Sequence, residues 1–178
     1  FPPELRGTYI GANLLAHELH CHTITPVGSS FKTAHGGEPL VANDTWFAPT
    51  FVALGPDGAV YVADWYDKRT AHPDPDAEWD RTNGRIYRIQ AEGADSTPTG
   101  DLSKLSSDAL VDLLSHPNDW HVRKARRLLA ERGDSSVLPR LRALALGSED
   151  DQLALQALWT LSTCGGFDDE VAQRLLGH

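Results

Sequence analysis

The sequence lacks methionine altogether and contains only two cysteines, and both scarcities narrow the possibilities. Without methionine there is no initiator residue, and we find no recognisable secretory signal, so we expect a fragment of a longer protein. Cys21 and Cys164 lie in different halves of the chain. Two cysteines cannot form a disulfide framework, and two free or buried thiols are favoured over a single bridge.

Basic residues and long apolar runs are also scarce. The chain has 16 basic against 25 acidic residues and a formal net charge of −9. Phosphate binding needs a basic surface, so this balance argues against a nucleic-acid partner. No apolar run is long enough to cross a bilayer, which predicts no membrane span in this chain. A hydrophobic content of 40% over 178 residues suffices for one medium domain or two small ones.

The residues that are present follow two different periods. Residues 1–90 alternate β-branched or aromatic residues with polar ones, which is typical of strands. The clearest hairpin centres on Gly55-Pro56-Asp57-Gly58, a sequence suited to a tight turn. The predicted strands are Tyr9 to Asn13, Glu18 to Thr25, Thr50 to Leu54, Ala59 to Asp64 and Arg85 to Gln90.

A polar stretch over residues 91–104 separates this strand pattern from a helical one, and we predict that it is a linker. In residues 105–178 the apolar residues recur at spacings of three and four, which indicates four or five helices. Ser107 is a candidate N-cap, and Gly133 is expected to end the second helix.

The helical segment also repeats. Ala125, Leu129 and Gly133 recur 32 residues later, in a unit the length of a two-helix hairpin. Such hairpins must stack to bury their apolar faces, and the pattern resembles HEAT repeats. An irregular helical bundle is the alternative.

One segment of the first half resembles a known family. It contains Trp46-Phe-Ala-Pro, then Gly55-Pro-Asp-Gly-Ala-Val-Tyr-Val-Ala-Asp-Trp-Tyr-Asp67, and closes with Gly84-Arg-Ile-Tyr-Arg-Ile89. These motifs are similar to the end of the propeller in membrane-bound dehydrogenases of planctomycete type, relatives of glucose and sorbosone dehydrogenases. The resemblance implies a fold class of terminal β-propeller blades, incomplete over residues 1–90, followed by a HEAT-like α-solenoid.

The resemblance also implies a function and partners. It suggests a piece of an oxidoreductase that acts on a sugar or other alcohol, located in the periplasm or outside the cell. The expected cofactors of the full-length protein are pyrroloquinoline quinone and calcium, and this chain has no haem motif. Missing N-terminal propeller blades would complete the fold, and the helical repeats would serve assembly or bind a protein partner. The alternative is a non-catalytic scaffold that binds carbohydrate or protein.

Several residues near the motif are candidates for chemistry. Catalytic candidates are His72, Arg85 and Tyr66, and calcium candidates are Asp64, Asp67 and Asp80, because carboxylate oxygens suit calcium. The alternative is that these aspartates cap the loop or are solvated. Ala48 stands where the family pattern leads us to expect an arginine, which puts quinone binding in doubt.

Arg85 has two interpretations. It is expected to pair with Asp80 or Asp64 and so hold the loop, or else to face a substrate. Alternation along the strand places Arg85, Tyr87 and Ile89 on one face.

The run His17-Glu-Leu-His-Cys-His22 invites a metal interpretation, since His20 and His22 share one strand face and imidazole suits zinc, copper or iron. It matches neither the haem-attachment motif nor the helical His-Glu-x-x-His motif. We therefore favour exposed strand histidines, with Cys21 facing the core.

In the helical half, a basic helix face contains Arg123, Lys124, Arg126 and Arg127. A solvated face is the default interpretation, and docking of an acidic partner is the alternative. Trp159 is predicted to be a core residue.

Overall fold

The computed structural model describes residues 5–68, 80, 82–94 and 100–177. The chain divides into two compact units, Phe1–Ser96 and Thr97–His178, which we call the strand unit and the helical unit. The division falls within the polar stretch 91–104.

The strand unit contains two antiparallel sheets of three strands each, in the order in which the strands follow in the chain. The first sheet consists of β1 (Tyr9–Asn13), β2 (Glu18–Val27) and β3 (Ser30–Val41). The second consists of β4 (Pro49–Leu54), β5 (Val60–Asp64) and β6 (Arg85–Ile89).

The predicted fold class, propeller blades followed by a HEAT-like solenoid, is therefore wrong. A propeller blade has four strands, whereas each of the two sheets in the described part of the chain has three. Five α-helices follow the second sheet. The propeller was predicted from the resemblance of short sequence motifs. Such motifs describe single strands and carry no information on how many strands pair in a sheet.

The hairpin between β4 and β5 is confirmed. The amide of Gly58 donates to the carbonyl of Gly55 at 3.1 Å, and Gly58 has a φ of +75° that favours glycine. The Asp57 carboxylate accepts from the amide of Ala59, the hydroxyl of Tyr61 and the guanidinium of Arg88. The turn is thus tied to the neighbouring strands.

Strand β3 was not predicted. It contains Gly36, Gly37 and Pro39, and its first seven residues are exposed, so it shows no apolar alternation. Its pairing with β2 shifts register twice, between Leu19 and Cys21 and between Cys21 and His22. Each shift is a β-bulge, in which β3 carries an extra residue.

The core of the strand unit joins the two sheets. Its buried members are Leu19, Phe47, Val60 and Val62, all at most 5% exposed. Side chains from both sheets pack against it, and they include Ile10, Leu40, Val52, Tyr87 and Ile89. One face of each sheet is therefore covered.

The helical unit contains five α-helices among its described residues. They are α1 (Ser107–Asp112), α2 (Asp119–Arg132), α3 (Leu138–Gly147), α4 (Asp151–Thr163) and α5 (Asp169–Leu175). Ser106, not Ser107, caps α1. Gly133 ends α2 in the left-handed conformation, as expected.

Leucine and valine side chains from all five helices form one core. Leu110, Leu141, Leu161 and Val171 in it are completely buried. The prediction that Trp159 is a core residue is wrong, because it is 44% exposed and lies beneath the guanidinium of Arg126.

Both cysteines are free, and Cys21 is buried, as expected. Burial raises the pKa of the Cys164 thiol. Among the described helices, none combines the length and apolar character that a membrane crossing requires.

Candidate metal centre

Three polar side chains line the open face of β2. Glu18, His20 and His22 alternate with Leu19 and Cys21, which are 0% and 1% exposed on the opposite face. This alternation follows from the period of two in a strand, with the apolar residues turned to the core. The polar residues therefore stand in a row on the outside of the sheet.

Strand β3 adds two residues to this row. His35 lies directly opposite His22 in the pairing register. Glu38 is three positions from His35 and would normally face the other side of the sheet. The extra residue at Gly36 changes that alternation, and Gly37 has a φ of +107°, which favours glycine. Glu38 thus reaches the same face as His35.

The result is a compact group of three imidazole rings. The ring centroids of His20 and His35 are 5.3 Å apart, those of His22 and His35 are 5.4 Å apart, and those of His20 and His22 are 6.2 Å apart. One ligand atom from each ring lies within 4.8 Å of the others. We call these three residues the histidine cluster.

This spacing is close to what a metal ion needs. Zinc binds imidazole nitrogen at ~2.0–2.1 Å in tetrahedral geometry, so two ligand nitrogens stand roughly 3.4 Å apart. The three ligand atoms of the cluster lie within 4.8 Å of one another. Three imidazoles without a thiolate suit zinc, copper, nickel or iron.

Two carboxylates flank the cluster. Glu18 Oε2 is 2.9 Å from His20 Nε2, and Glu38 Oε1 is 2.7 Å from His35 Nε2. Glu18, His20 and Glu38 form a second group with ligand atoms within 4.8 Å. The cluster is partly open to solvent, because the side chains of His20 and His35 are 25% and 49% exposed.

His17, also part of the sequence run, does not join the cluster. Its Nδ1 lies 2.6 Å from the carbonyl oxygen of Phe47, and its backbone φ is +60°. This histidine connects the loop before β2 to the segment before β4.

The loop after β5 contains several of the residues singled out by the resemblance. Asp64 is 5% exposed, and its Oδ1 accepts from the amides of Ala48 and Tyr66 at 2.9 and 2.8 Å. Its Oδ2 is buried and has no hydrogen-bond partner among the described residues. Ala48 thus donates a backbone hydrogen bond to Asp64 and contributes no side-chain charge.

Two of the three catalytic candidates meet beside this loop. The Arg85 guanidinium lies 4.7 Å from the centre of the Tyr66 ring, which also stacks on Trp46 at 5.7 Å. Tyr66 has a φ of +53°, uncommon outside glycine. In the described residues Arg85 forms no ion pair with Asp64 or Asp80. His72 lies outside the described residues.

The calcium candidates each have other partners. Asp67 accepts from the indole N–H of Trp65 at 3.1 Å. Side-chain hydrogen bonds from Asn83 and Thr82 lower the pKa of Asp80. Among the described residues, groups of three metal-ligand side chains occur only around the histidine cluster. The described residues do not converge on a calcium ion, and the calcium set stays a prediction.

His35, Glu18 and Glu38 were missed from the sequence as members of a site. The segment His35-Gly-Gly-Glu38 held a signal, since paired glycines in a strand often mark a bulge. The metal interpretation of His20 and His22 was not favoured because their run matches neither the haem-attachment motif nor the helical His-Glu-x-x-His motif. The third ligand depends on the pairing register.

Comparison with known proteins identifies a family without an assigned function. Residues 1–93 match the model of a family described as a domain of unknown function (DUF7133). The match covers more than half of the chain, so the chain belongs to that family. No curated protein and no solved structure matches it.

Proposed function

We propose that the strand unit binds a divalent transition-metal ion through His20, His22 and His35. The observation that supports this proposal is the convergence of three imidazole ligand atoms within 4.8 Å from two paired strands. Three protein nitrogens leave one tetrahedral position open, and the partial exposure of the cluster lets water or an external ligand fill it.

A titration of the whole 178-residue chain with Zn²⁺ or Cu²⁺ tests this proposal. We expect one bound ion in calorimetry and a rise in melting temperature, because a ligand of the folded state stabilises it by mass action. His22→Ala should weaken binding strongly. His116→Asn, which changes a histidine of the helical unit, should leave binding intact. Absence of binding, or equal binding by His22→Ala, would contradict the proposal.

Oxidation of a sugar or other alcohol is the second proposal. It is supported by the resemblance and by the left-handed Tyr66 beside the buried, unpartnered Oδ2 of Asp64, because backbone strain collects at functional sites. Oxidation of the alcohol to a carbonyl compound removes two electrons and two protons, which a quinone would accept if the full-length protein holds one. Among the described residues, the calcium candidates do not converge on one ion.

Dye reduction in the presence of sugars, quinone and calcium tests this second proposal on the longest available chain. Tyr66→Phe is expected to lower the rate, and Tyr61→Phe serves as the control because the hydroxyl of Tyr61 donates to Asp57 of the hairpin turn. A preparation that reduces no dye with any sugar would remove the proposal. On the resemblance alone, we also propose an extracytoplasmic location and a protein partner for the helical unit.

A further inference from the structure

Two of the three cluster histidines are each held by a carboxylate through the same ring nitrogen. Glu18 Oε2 lies 2.9 Å from Nε2 of His20, and Glu38 Oε1 lies 2.7 Å from Nε2 of His35. Glu18 is partly buried and Glu38 is exposed, with side chains 25% and 39% exposed. One pair lies on β2 and the other on β3, so His20 and His35 each have a carboxylate from their own strand.

We infer that Glu18 and Glu38 are positioning residues of the metal site and not ligands, an inference that rests on the proposed metal binding. A neutral imidazole that donates Nε2–H to a carboxylate presents the lone pair of Nδ1. Metal-binding histidines commonly donate the other N–H to a carboxylate, which fixes the tautomer and raises ligand basicity. His20 and His35 therefore bind the ion through Nδ1.

The surroundings of His20 fit this assignment. The Asn13 amide nitrogen lies 3.5 Å from Nδ1 and 3.3 Å from Nε2 of His20. Glu18 is closer to Nε2 and accepts a hydrogen bond from its N–H, so the amide of Asn13 can donate only to Nδ1. That contact is long and weak, and a metal ion displaces it at little cost.

His22 is different from the other two histidines. Its ring contacts those of His20 and His35, and no described carboxylate forms an ion pair or hydrogen bond with it. Its tautomer is therefore free to adapt to the ion. His20 on β2 and His35 on β3 therefore have tautomers fixed by their carboxylates, and His22 supplies the third ligand with either ring nitrogen.

The test compares alanine and glutamine at the two glutamates, using Cu²⁺ binding followed by calorimetry and electron paramagnetic resonance. Glu18→Ala and Glu38→Ala are expected to weaken binding by about 10–100-fold. Glu18→Gln should recover part of this loss, because an amide oxygen still accepts from Nε2–H. Every variant should keep the nitrogen hyperfine pattern of the wild type. Glu149→Ala, in the helical unit, should bind as the wild type does.

Two results would overturn the inference while leaving metal binding intact. A changed hyperfine pattern in Glu18→Ala or Glu38→Ala would make that carboxylate a ligand. Unchanged affinity in both alanine variants would remove any role for the pairs. If the wild type itself binds no ion, the proposed function fails and the inference fails with it. Circular dichroism of each variant shows whether the fold is kept.

Discussion

Charged and titratable side chains are arranged differently in the two units. In the helical unit, Arg140 reaches the carboxylates of Asp108 and Asp112, and Arg142 reaches those of Asp168 and Glu170. These pairs connect α3 with α1 and with the start of α5. Each guanidinium is thus paired with carboxylates of opposite charge.

In the strand unit, groups of one kind converge. Three imidazole rings from two strands face a common point, and two carboxylates stand beside them. Three neutral imidazoles provide one another with little stabilisation, and three charged ones would repel. Pairing of opposite charges thus serves the packing of helices, whereas the convergence of like groups supports the proposed binding of an ion.

The largest effect is expected from breaking the helical core. Leu161 on α4 is completely buried, and its side chain packs beside Gly166. Leu161→Ala should cost about 2–5 kcal/mol of unfolding free energy, because it leaves a cavity. Leu155→Ala on the same helix, at a position 38% exposed, should cost much less. Urea unfolding followed by circular dichroism measures both.

The same variant tests whether the two units have separate roles. All three cluster residues lie in the strand unit, so Leu161→Ala should leave Zn²⁺ affinity unchanged under conditions where the chain is folded. A loss of metal affinity in Leu161→Ala would contradict separate roles for the two units. Equal unfolding costs for Leu155→Ala and Leu161→Ala would contradict the role of Leu161 in the helical core.

The bulge in β3 offers a smaller but more specific change. Gly37→Ala places a Cβ where nothing lies within 4 Å, so its cost comes from the φ of +107° and should be about 1–3 kcal/mol. Relaxation of that strain would move Glu38 and weaken Zn²⁺ binding by about tenfold. Calorimetry measures the affinity, and thermal unfolding measures the strain.

Gly28→Ala is the matched control for the bulge. Gly28 also has a positive φ, +59°, with nothing within 4 Å of an added Cβ, but it lies in the turn between β2 and β3. It should lose stability without losing metal affinity. Equal affinities for the two alanine variants would show that the bulge does not position the cluster.

The smallest effect concerns the dependence of the helical unit on pH. The amide of Val171, and after it the guanidinium of Arg142, lower the pKa of Asp168 below its usual 3.8. A lowered pKa contributes stability above 3.8, which is lost as the pH falls through the folded-state pKa. The melting temperature of Asp168→Asn should therefore lie below that of the wild type at pH 7.

The difference between wild type and Asp168→Asn should shrink as the pH falls below 3.8. Asparagine still accepts from the amide of Val171, so the variant isolates the charge. In an Arg142→Met background the difference at pH 7 should be smaller, because the ion pair is already absent. A difference independent of pH would mean that the charge of Asp168 contributes nothing to stability.

The sequence predicted the local elements better than their assembly. Alternation located β1, and the turn residues located the hairpin between β4 and β5, because these signals are carried by neighbouring residues. β3 was missed, because its glycines and exposed residues show no period. The number of strands in each sheet was wrong, since it depends on pairing between distant segments.

The same limit applies to the candidate site. His20 and His22 were recognised as sharing a face, which requires only the period of a strand. His35 enters the cluster through the pairing of β2 with β3, and Glu38 through a bulge within it. Neither could be placed without the register, so a site of five residues was read as two exposed histidines.

The bulge at Gly36 makes the cluster depend on the length of the chain as well as on its chemistry. Removing one glycine would leave the histidine and the glutamate two positions apart, and strict alternation would then place both on the same face without a bulge. With two glycines between them, His35 and Glu38 share a face only because Gly36 is an extra residue. Among relatives, chains with one residue in this gap could therefore pair the two side chains on a regular strand, whereas chains with two residues need the bulge. Counting residues between His35 and Glu38 is therefore as informative as finding them.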